Sequence, residues 1–172
     1  MSADAWREIR FCPRCGSSEL ARRVPRRDDR ERQACTACNY IHYVGPVLAA
    51  GLIVRDGDRV CLVRRAHDPG AGKWTFPGGF VDIDEEPADA ARRETREEAG
   101  CEATIDRLVG VYRSRGPAGK PVVIAVYVGH FVAECGGTSE ETEEVRWFDA
   151  HALPWGEFAF ASSVAALKAV FD

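Results

Sequence analysis

Residues 79–101 read GFVDIDEEPADAARRETREEAGC, and the fold of the chain can be inferred from this stretch. A proline near its start and a glycine near its end bracket a predicted helix. Glu94, Glu97 and Glu98 have the i, i+3 and i+4 spacing that places side chains on one helical face. Three like charges on one face repel one another, and a hard cation with oxygen ligands relieves that repulsion. The sequence therefore predicts a Mg²⁺ or Mn²⁺ site on this helix.

The spacing of the stretch follows the pattern G-x5-E-x7-R-E-U-x-E-E-x-G-U, in which U is aliphatic. This pattern is the Nudix box, and the stretch resembles it at nearly every position. Thr95 stands where the family usually has an aliphatic residue, a departure that concerns helix packing and not the ligands. The alternative is a charged, solvent-facing helix, which does not explain the glycines or the spacing of the pattern.

The resemblance implies a set of metal ligands. Glu94 and Glu98 are the expected main ligands, while Glu97 shares a metal or accepts a proton. A backbone carbonyl of Gly78 or Gly79 completes the shell, since glycine allows a close approach of the backbone. By the same resemblance, the metal neutralises phosphate oxygens while water attacks a phosphorus.

The resemblance also implies partners for catalysis. Arg93 is expected to pair with a carboxylate of the box, with Glu85 as the obvious candidate. In many relatives a glutamate from a later loop is the general base, and Glu141 and Glu143 are favoured here. A solvated acidic loop, in which no single glutamate has a role, is the alternative for residues 134–144.

Four cysteines near the N-terminus form a second pattern. Cys12 and Cys15 make one C-x2-C pair, and Cys35 and Cys38 make another after 19 intervening residues. Two such turns supply the four thiolates of a structural Zn²⁺ site, which leaves no coordination position for water. Disulfides or free thiols are the alternative, which a reducing compartment disfavours.

These patterns predict an α/β chain with two parts. Residues 1–45 are expected to form a small four-cysteine zinc ribbon, and residues 46–172 a Nudix-type α/β/α sandwich with a mixed sheet. Within the second part, residues 103–115 and 121–133 are each predicted to form one strand. The segment 22–32 in the ribbon carries six arginines against three acids. It is interpreted as a solvated surface, with a phosphate or nucleic-acid patch as the alternative.

Composition narrows the class of protein. The chain has 172 residues, 45% of them hydrophobic and 29% charged, with a formal net charge of −4. That charge argues against a nucleic-acid partner, and no apolar run approaches the length of a membrane span. The N-terminus lacks the order of a signal peptide, and a cytoplasmic location is expected.

Three features bear on the substrate. Phe160 belongs to a Phe-Ala-Phe-Ala-Ser-Ser segment that, together with the ribbon and the box, looks like the ADP-ribose/FAD pyrophosphatase group. Pro117 lies where ADP-ribose hydrolases share a proline, although a simple turn explains it equally well. Trp74 could hold a base or flavin ring, although a structural role is the more common one.

The resemblance implies a Mg²⁺-dependent pyrophosphatase. Its expected substrate is a nucleoside diphosphate linked to another group, foremost ADP-ribose or FAD, with release of AMP. Alternatives are an NADH pyrophosphatase, favoured by a partial match at Pro154-Trp155, and a nucleotide-sensing, DNA-binding regulator without catalysis. A homodimer is compatible with the resemblance, and the ribbon is one candidate for a dimer or partner interface.

Overall fold

A computed structural model describes residues 8–136 and 139–172. The chain divides into two units. The first ends at Pro46 and also includes Ala118–Lys120, and the second comprises Val47–Pro117 and Pro121–Asp172. No helix in these described residues is long and apolar enough to cross a membrane.

The first unit is built on a three-stranded antiparallel sheet. Its strands are β1 (Leu20–Arg23), β2 (Arg32–Cys35) and β3 (Ile41–His42), in that spatial order. The turns around this small sheet carry the cysteine pairs. Ala34 and Cys35 at the end of β2 are buried, so the core of this unit lies beside the cysteine cluster.

In the part that the structure describes, the second unit contains one mixed sheet and two α-helices. Its helix α1 begins at Pro87 and ends at Ala99, and its helix α2 begins at Ala161 and ends at Phe171. Among the described residues the strands are β4 (Val47–Asp56), β5 (Arg59–Arg65), β6 (Trp74–Thr75), β7 (Gly78–Phe80), β8 (Cys101–Ala103), β9 (Arg107–Arg115), β10 (Pro121–Glu134) and β11 (Thr142–Asp149).

The central strand β4 divides the hydrophobic side chains of this unit between two cores. Successive side chains of a strand point to opposite faces of a sheet. Leu52 packs into a cluster with Ala90 and Ala91 of α1, whereas Ile53 packs into a cluster with Ala166 and Leu167 of α2. The helices therefore cover opposite faces of the sheet, which confirms the predicted α/β/α sandwich.

Strands β4 and β5 separate along their length, and this separation positions the site. They pair directly only at Arg55–Val60 and Asp56–Arg59. Farther along, β6 pairs with β5 and β7 pairs with β4. The glycine pair at the start of β7 is thus held against β4, beneath helix α1.

The predicted single strand over residues 103–115 was wrong. The structure divides this segment into β8 and β9, and both pair with the long strand β10 at different positions. Between them, the amides of Thr104 and Asp106 bond to carbonyls of β10 at 2.9 Å each. The segment thus stays against β10, and the interruption is a one-residue register shift between the pairs Phe131–Ala103 and Val128–Arg107.

Candidate functional site

The four cysteines of the first unit converge on one point. Their sulfur atoms all lie within 4.8 Å of one another, and the pairs Cys12–Cys38 and Cys15–Cys35 are 3.6 Å apart. Thiolates around a tetrahedral Zn²⁺ stand ~3.8 Å apart, given a Zn–S distance of ~2.3 Å. All four lie within the described residues, and none of them forms a disulfide. The donor set therefore fits a structural zinc ion.

The second unit contains a cavity of about 500 Å³ beside the box helix. One part of its wall is acidic, with Glu94, Glu97 and Glu98 from α1. Another part is apolar, with Ala49 and Ile124 from the sheet. A cavity of this size, apolar with a few convergent polar groups, is typical of a small-molecule site.

Glu98 is the most deeply buried carboxylate of the site. Its side chain accepts a hydrogen bond of 2.8 Å from the backbone N–H of Gly78, and the residue is only 4% exposed. Burial raises the pKa of Glu98 to about 7, although the Gly78 amide acts in the opposite direction. A buried carboxylate with one hydrogen bond is a ready ligand for a cation, because a cation would stabilise its charged form.

Arg93 holds the other acidic groups in place. Its guanidinium donates two hydrogen bonds to Glu85, at 2.7 and 3.2 Å, which confirms the expected ion pair. It also donates to Glu94 at 2.7 Å and to Glu97 at 3.1 Å. A fifth bond, of 3.1 Å, joins it to the carbonyl of Phe80. Arg93 is therefore a positioning residue that links the loop before the helix to the carboxylates on it.

The glycine pair brings the backbone close to these carboxylates. A Cβ atom on Gly79 would lie 2.4 Å from Oε1 of Glu94, and one on Gly78 would lie 2.6 Å from the carbonyl oxygen of Ala50. The clash at Gly78 is with backbone, so only glycine fits there. The clash at Gly79 is with the end of the Glu94 side chain, which would have to move.

Thr95 has a local explanation for its departure from the family pattern. The residue is fully buried, and its hydroxyl donates a hydrogen bond of 2.7 Å to the carbonyl of Ala91 one turn earlier. A buried hydroxyl is tolerated when it is hydrogen-bonded. Threonine can therefore occupy this core position without a polar partner elsewhere.

The two candidate bases lie in different places. Glu141 lines the cavity together with Ser139, and its charge contributes to the raised pKa values of Glu94 and Glu98. Glu143 falls where the pairing of β11 with β5 shifts register, and its carboxylate lies 3.8 Å from Arg64. It does not line the cavity. Glu141 and Glu143 both stay predictions for the general base, and of the two only Glu141 lines the cavity.

The three residues that were expected to contact the substrate also lie in different places. Phe160 and Pro117 line the cavity, and the Arg65 guanidinium lies 5.4 Å from the centre of the Phe160 ring. Trp74 does not line it: the residue is 3% exposed and packs edge-on against Phe148, with ring centres 4.9 Å apart. Its expected substrate contact is corrected to a role in the core.

Sequence reasoning missed some of the cavity residues. Arg65 and Arg115 stand at the ends of strands, where nothing in a single sequence distinguishes them from surface arginines. Phe80 follows the glycine pair at a position that the box pattern leaves open. These residues come together at the cavity because of the order and pairing of the strands in the sheet.

Comparison with known proteins places this geometry in a family. Residues 45–167 match the NUDIX domain model, and residues 10–44 match the Nudix N-terminal zinc-ribbon model. The chain belongs to the Nudix family and is a hydrolase with an N-terminal zinc ribbon.

Individual relatives agree with the family. An ADP-ribose pyrophosphatase from Methanocaldococcus jannaschii is 31% identical over 117 residues, which is 67% of this chain and 69% of that protein. A NAD-capped RNA hydrolase from Pseudomonas aeruginosa is 28% identical over 150 residues, which is 86% of this chain but only 50% of that protein. A Nudix hydrolase from Nitrosomonas europaea has a crystal structure with a TM-score of 0.81 and 34% identity, covering 93% of this chain and 89% of that one.

Proposed function

We propose that the protein is a Mg²⁺- or Mn²⁺-dependent pyrophosphatase that hydrolyses ADP-ribose or FAD and releases AMP. The observation that carries this proposal is the cavity in which Glu94, Glu97, Glu98 and Glu141 face a partly apolar pocket. The ADP-ribose pyrophosphatase among its relatives supports the choice of substrate.

The acidic wall of the cavity fits a divalent cation. Glu94 and Glu98 would hold it, Glu97 would share it, and a carbonyl of Gly78 or Gly79 would complete the oxygen-only donor set. When bound, Mg²⁺ supplies neutralisation of phosphate charge and a lower pKa for a coordinated water. Arg93 cannot take over this neutralisation, because Glu85, Glu94 and Glu97 already surround it.

Side chains of the protein supply the remaining catalytic and binding roles. Glu141 accepts the proton of the attacking water, whose oxygen forms a bond to phosphorus while the anhydride P–O bond breaks. Arg65 faces the departing phosphate, because it lines the same cavity as the acidic wall. Phe160 and Pro117 contact the ring and ribose. The products are AMP with ribose 5-phosphate, or AMP with FMN.

The substrate is tested by turnover of the pure protein. ADP-ribose, FAD, NADH, diadenosine polyphosphates and nucleoside triphosphates are incubated with Mg²⁺ or Mn²⁺, and the products are resolved by chromatography. We expect AMP from ADP-ribose or FAD at the highest kcat/KM. The absence of turnover with every substrate would overturn the proposal and favour a binding or regulatory role.

NADH is the second candidate. The Pseudomonas relative named a NAD-capped RNA hydrolase matches 86% of this chain. A kcat/KM for NADH well above that for ADP-ribose would favour this candidate over the first. The cytoplasmic location and the homodimer remain expectations that fractionation and sedimentation would test.

A further inference from the structure

The arginine-rich part of the first unit has no role in the proposed function. Residues 1–46 carry nine arginines against six acidic residues, whereas residues 47–172 carry 14 basic against 21 acidic residues. The net charge of the whole chain therefore conceals a basic N-terminal part followed by an acidic remainder. An excess of arginine on one small module is the electrostatic footprint of a polyanionic ligand.

Two adjacent arginines lie at the tip of the hairpin that joins β1 to β2. The backbone N–H of Asp28 donates a hydrogen bond of 3.0 Å to the carbonyl of Pro25. Arg26 and Arg27 are therefore the two central residues of a four-residue turn. Pro25 is buried, whereas both arginines are exposed. The turn thus presents two positive charges to solvent.

Arg27 has a backbone conformation that glycine or asparagine adopts more easily. Its φ is 70°, in the left-handed region, where a residue with a Cβ atom is strained. The ion pairs of this segment within the described residues join Arg22 to Glu8 and Arg32 to Asp28, and they leave out Arg26 and Arg27. A strained residue without an ion pair suggests that its side chain has a function.

The sheet of the first unit adds an exposed aromatic ring to this positive charge. Arg23, the last residue of β1, pairs with Arg32 of β2, so the two side chains lie on one face of the sheet. Arg32 contacts Asp28 at 3.0 Å, and its guanidinium lies 5.5 Å from the centre of the Tyr43 ring. Arg32 therefore supports the ring, while 63% of Tyr43 stays exposed.

Exposed arginines and an exposed ring together match the two chemical parts of a nucleic-acid strand. Guanidinium groups bind phosphate oxygens, and aromatic side chains stack on unpaired bases. A lipid headgroup or an acidic peptide would pair with the arginines but would give the ring no stacking partner. The bases of a double helix are stacked on one another, so a single strand fits the surface better.

We propose that a surface of the first unit, the ribbon surface, binds a single strand of nucleic acid. The residues of the ribbon surface are Arg23, Arg26, Arg27 and Tyr43. The three arginines contact phosphates, and the ring of Tyr43 stacks on a base while Arg32 holds it in place. This binding is independent of which nucleotide the cavity of the second unit hydrolyses.

The phosphate contacts are tested by the salt dependence of binding. The probe is a labelled single strand of about 12 nucleotides, measured by fluorescence anisotropy with the zinc-loaded full chain. Three phosphate contacts predict an affinity that falls about 20-fold between ~50 and ~200 mM salt. In Arg26→Gln/Arg27→Gln the fall should shrink to about threefold. Arg59→Gln/Arg107→Gln is the matched control, because it removes the same charge from exposed residues outside the cavity.

The strain at Arg27 allows binding to be separated from stability. Arg27→Gly removes one charge and relaxes the turn, because glycine adopts a positive φ without strain. This variant should bind the strand more weakly than the wild type, while its first unit melts at the same temperature or a higher one. A lower melting temperature together with unchanged binding would show that Arg27 has a structural role only, and would remove it from the ribbon surface.

The stacking contact is tested with a second probe, inorganic polyphosphate, which has phosphates but no bases. Tyr43→Ala should lower the affinity for the single strand about 10-fold, the scale of one lost base–aromatic contact, and leave the affinity for polyphosphate unchanged. Tyr43→Phe should retain the wild-type affinity for both probes, because it keeps the ring. The zinc content of each variant shows whether the ribbon is retained.

Four results would overturn the inference. The first is the absence of binding to the single strand at ~50 mM salt. The second is an equal loss of affinity in the control variant, which would show attraction to charge anywhere on the chain. The third is an unchanged affinity of Tyr43→Ala for the strand. The fourth is binding to vesicles of anionic lipid in preference to the strand, which would make the surface a membrane contact.

Discussion

The Glu98 carboxylate and the Gly78 amide are joined by a hydrogen bond of 2.8 Å across 20 residues of sequence. The bond ties the last turn of α1 to the start of β7, so the buried acid and the glycine pair occupy one fixed position. Because Glu98 is also the expected metal ligand, any change at this contact tests both the fold and the chemistry.

Replacement of Glu98 by glutamine should lower turnover by at least ~10²-fold, the scale for loss of one preorganised charge-stabilising group. Glutamine keeps the shape and can still accept the Gly78 hydrogen bond, so the fold should survive. Steady-state kinetics and a thermal melt measure the two effects. Glu86→Gln is the control, since Glu86 is exposed and lies outside the cavity. Wild-type activity in Glu98→Gln would show that the box is not the site.

The stability of the metal-free protein should depend on the protonation of Glu98. Burial raises the pKa of Glu98 from its ordinary 4.5 to about 7, so the folded state binds the proton more tightly than the unfolded chain does. The resulting stabilisation is complete below pH 4.5 and is lost as the pH rises through 7. The loss is on the order of 3 kcal/mol, or several °C in Tm.

Melting in EDTA between about pH 5 and pH 8, on either side of the raised pKa, measures this dependence. The wild-type Tm should fall more steeply with pH than that of Glu98→Gln, and Mg²⁺ should restore most of the difference at the alkaline end. Parallel slopes for the two proteins would contradict the assignment of the raised pKa to Glu98.

The choice between the two candidate bases can be tested by paired substitutions. Glu141→Gln should lower kcat by about 10²–10⁴-fold, the usual contribution of a general base, because Glu141 faces the cavity. Glu143→Gln should leave kcat near the wild-type value, because its carboxylate faces Arg64. Equal effects of the two substitutions would remove Glu141 as the base.

Gly79→Ala should damage the acidic wall. The new Cβ would lie 2.4 Å from the Glu94 carboxylate, which must then move out of place. A displacement of about 1 Å can cost about 10²-fold in rate, whereas the fold should lose little stability, because only the end of a side chain has to move. Kinetics and thermal melting would record both. Gly156→Ala is the control, since its Cβ would meet nothing within 4 Å; similar behaviour of the two variants would contradict the prediction.

Zinc content tests the cysteine cluster. Cys35→Ser should reduce bound zinc from about one ion per chain to almost none, because four thiolates are needed for a closed tetrahedral site. The first unit should then lose its cooperative unfolding transition, since zinc binding supplies folding free energy to such small modules. Elemental analysis and calorimetry measure the two. Cys135→Ser should retain the metal, because Cys135 lies outside the cluster. Full zinc occupancy in Cys35→Ser would refute the site.

The predictions that the structure and the comparisons confirm are those that rested on local sequence patterns. The start of α1 at Pro87 and its left-handed end at Gly100 follow from the preferences of single residues at helix ends. The pairing of Arg93 with Glu85 follows from the box spacing, and the convergence of the four cysteines follows from two short turns. Each depends on residues close in sequence or on a fixed motif, so one chain is enough to reveal it.

The residues that line the cavity could not be predicted in the same way, because they are distant from one another in sequence. Trp74 and Phe80 both flank the glycine pair, yet the first is buried against Phe148 and the second is left open at the cavity wall. Glu141 and Glu143 are both glutamates of one acidic segment, but Glu141 lines the cavity and Glu143 lies at a register shift beside Arg64. Strand pairing fixes the face on which each side chain lies, and a one-residue shift exchanges the faces. The family, the helix ends and the cysteine cluster were thus predictable from the sequence alone, whereas sheet register determined which side chains line the cavity.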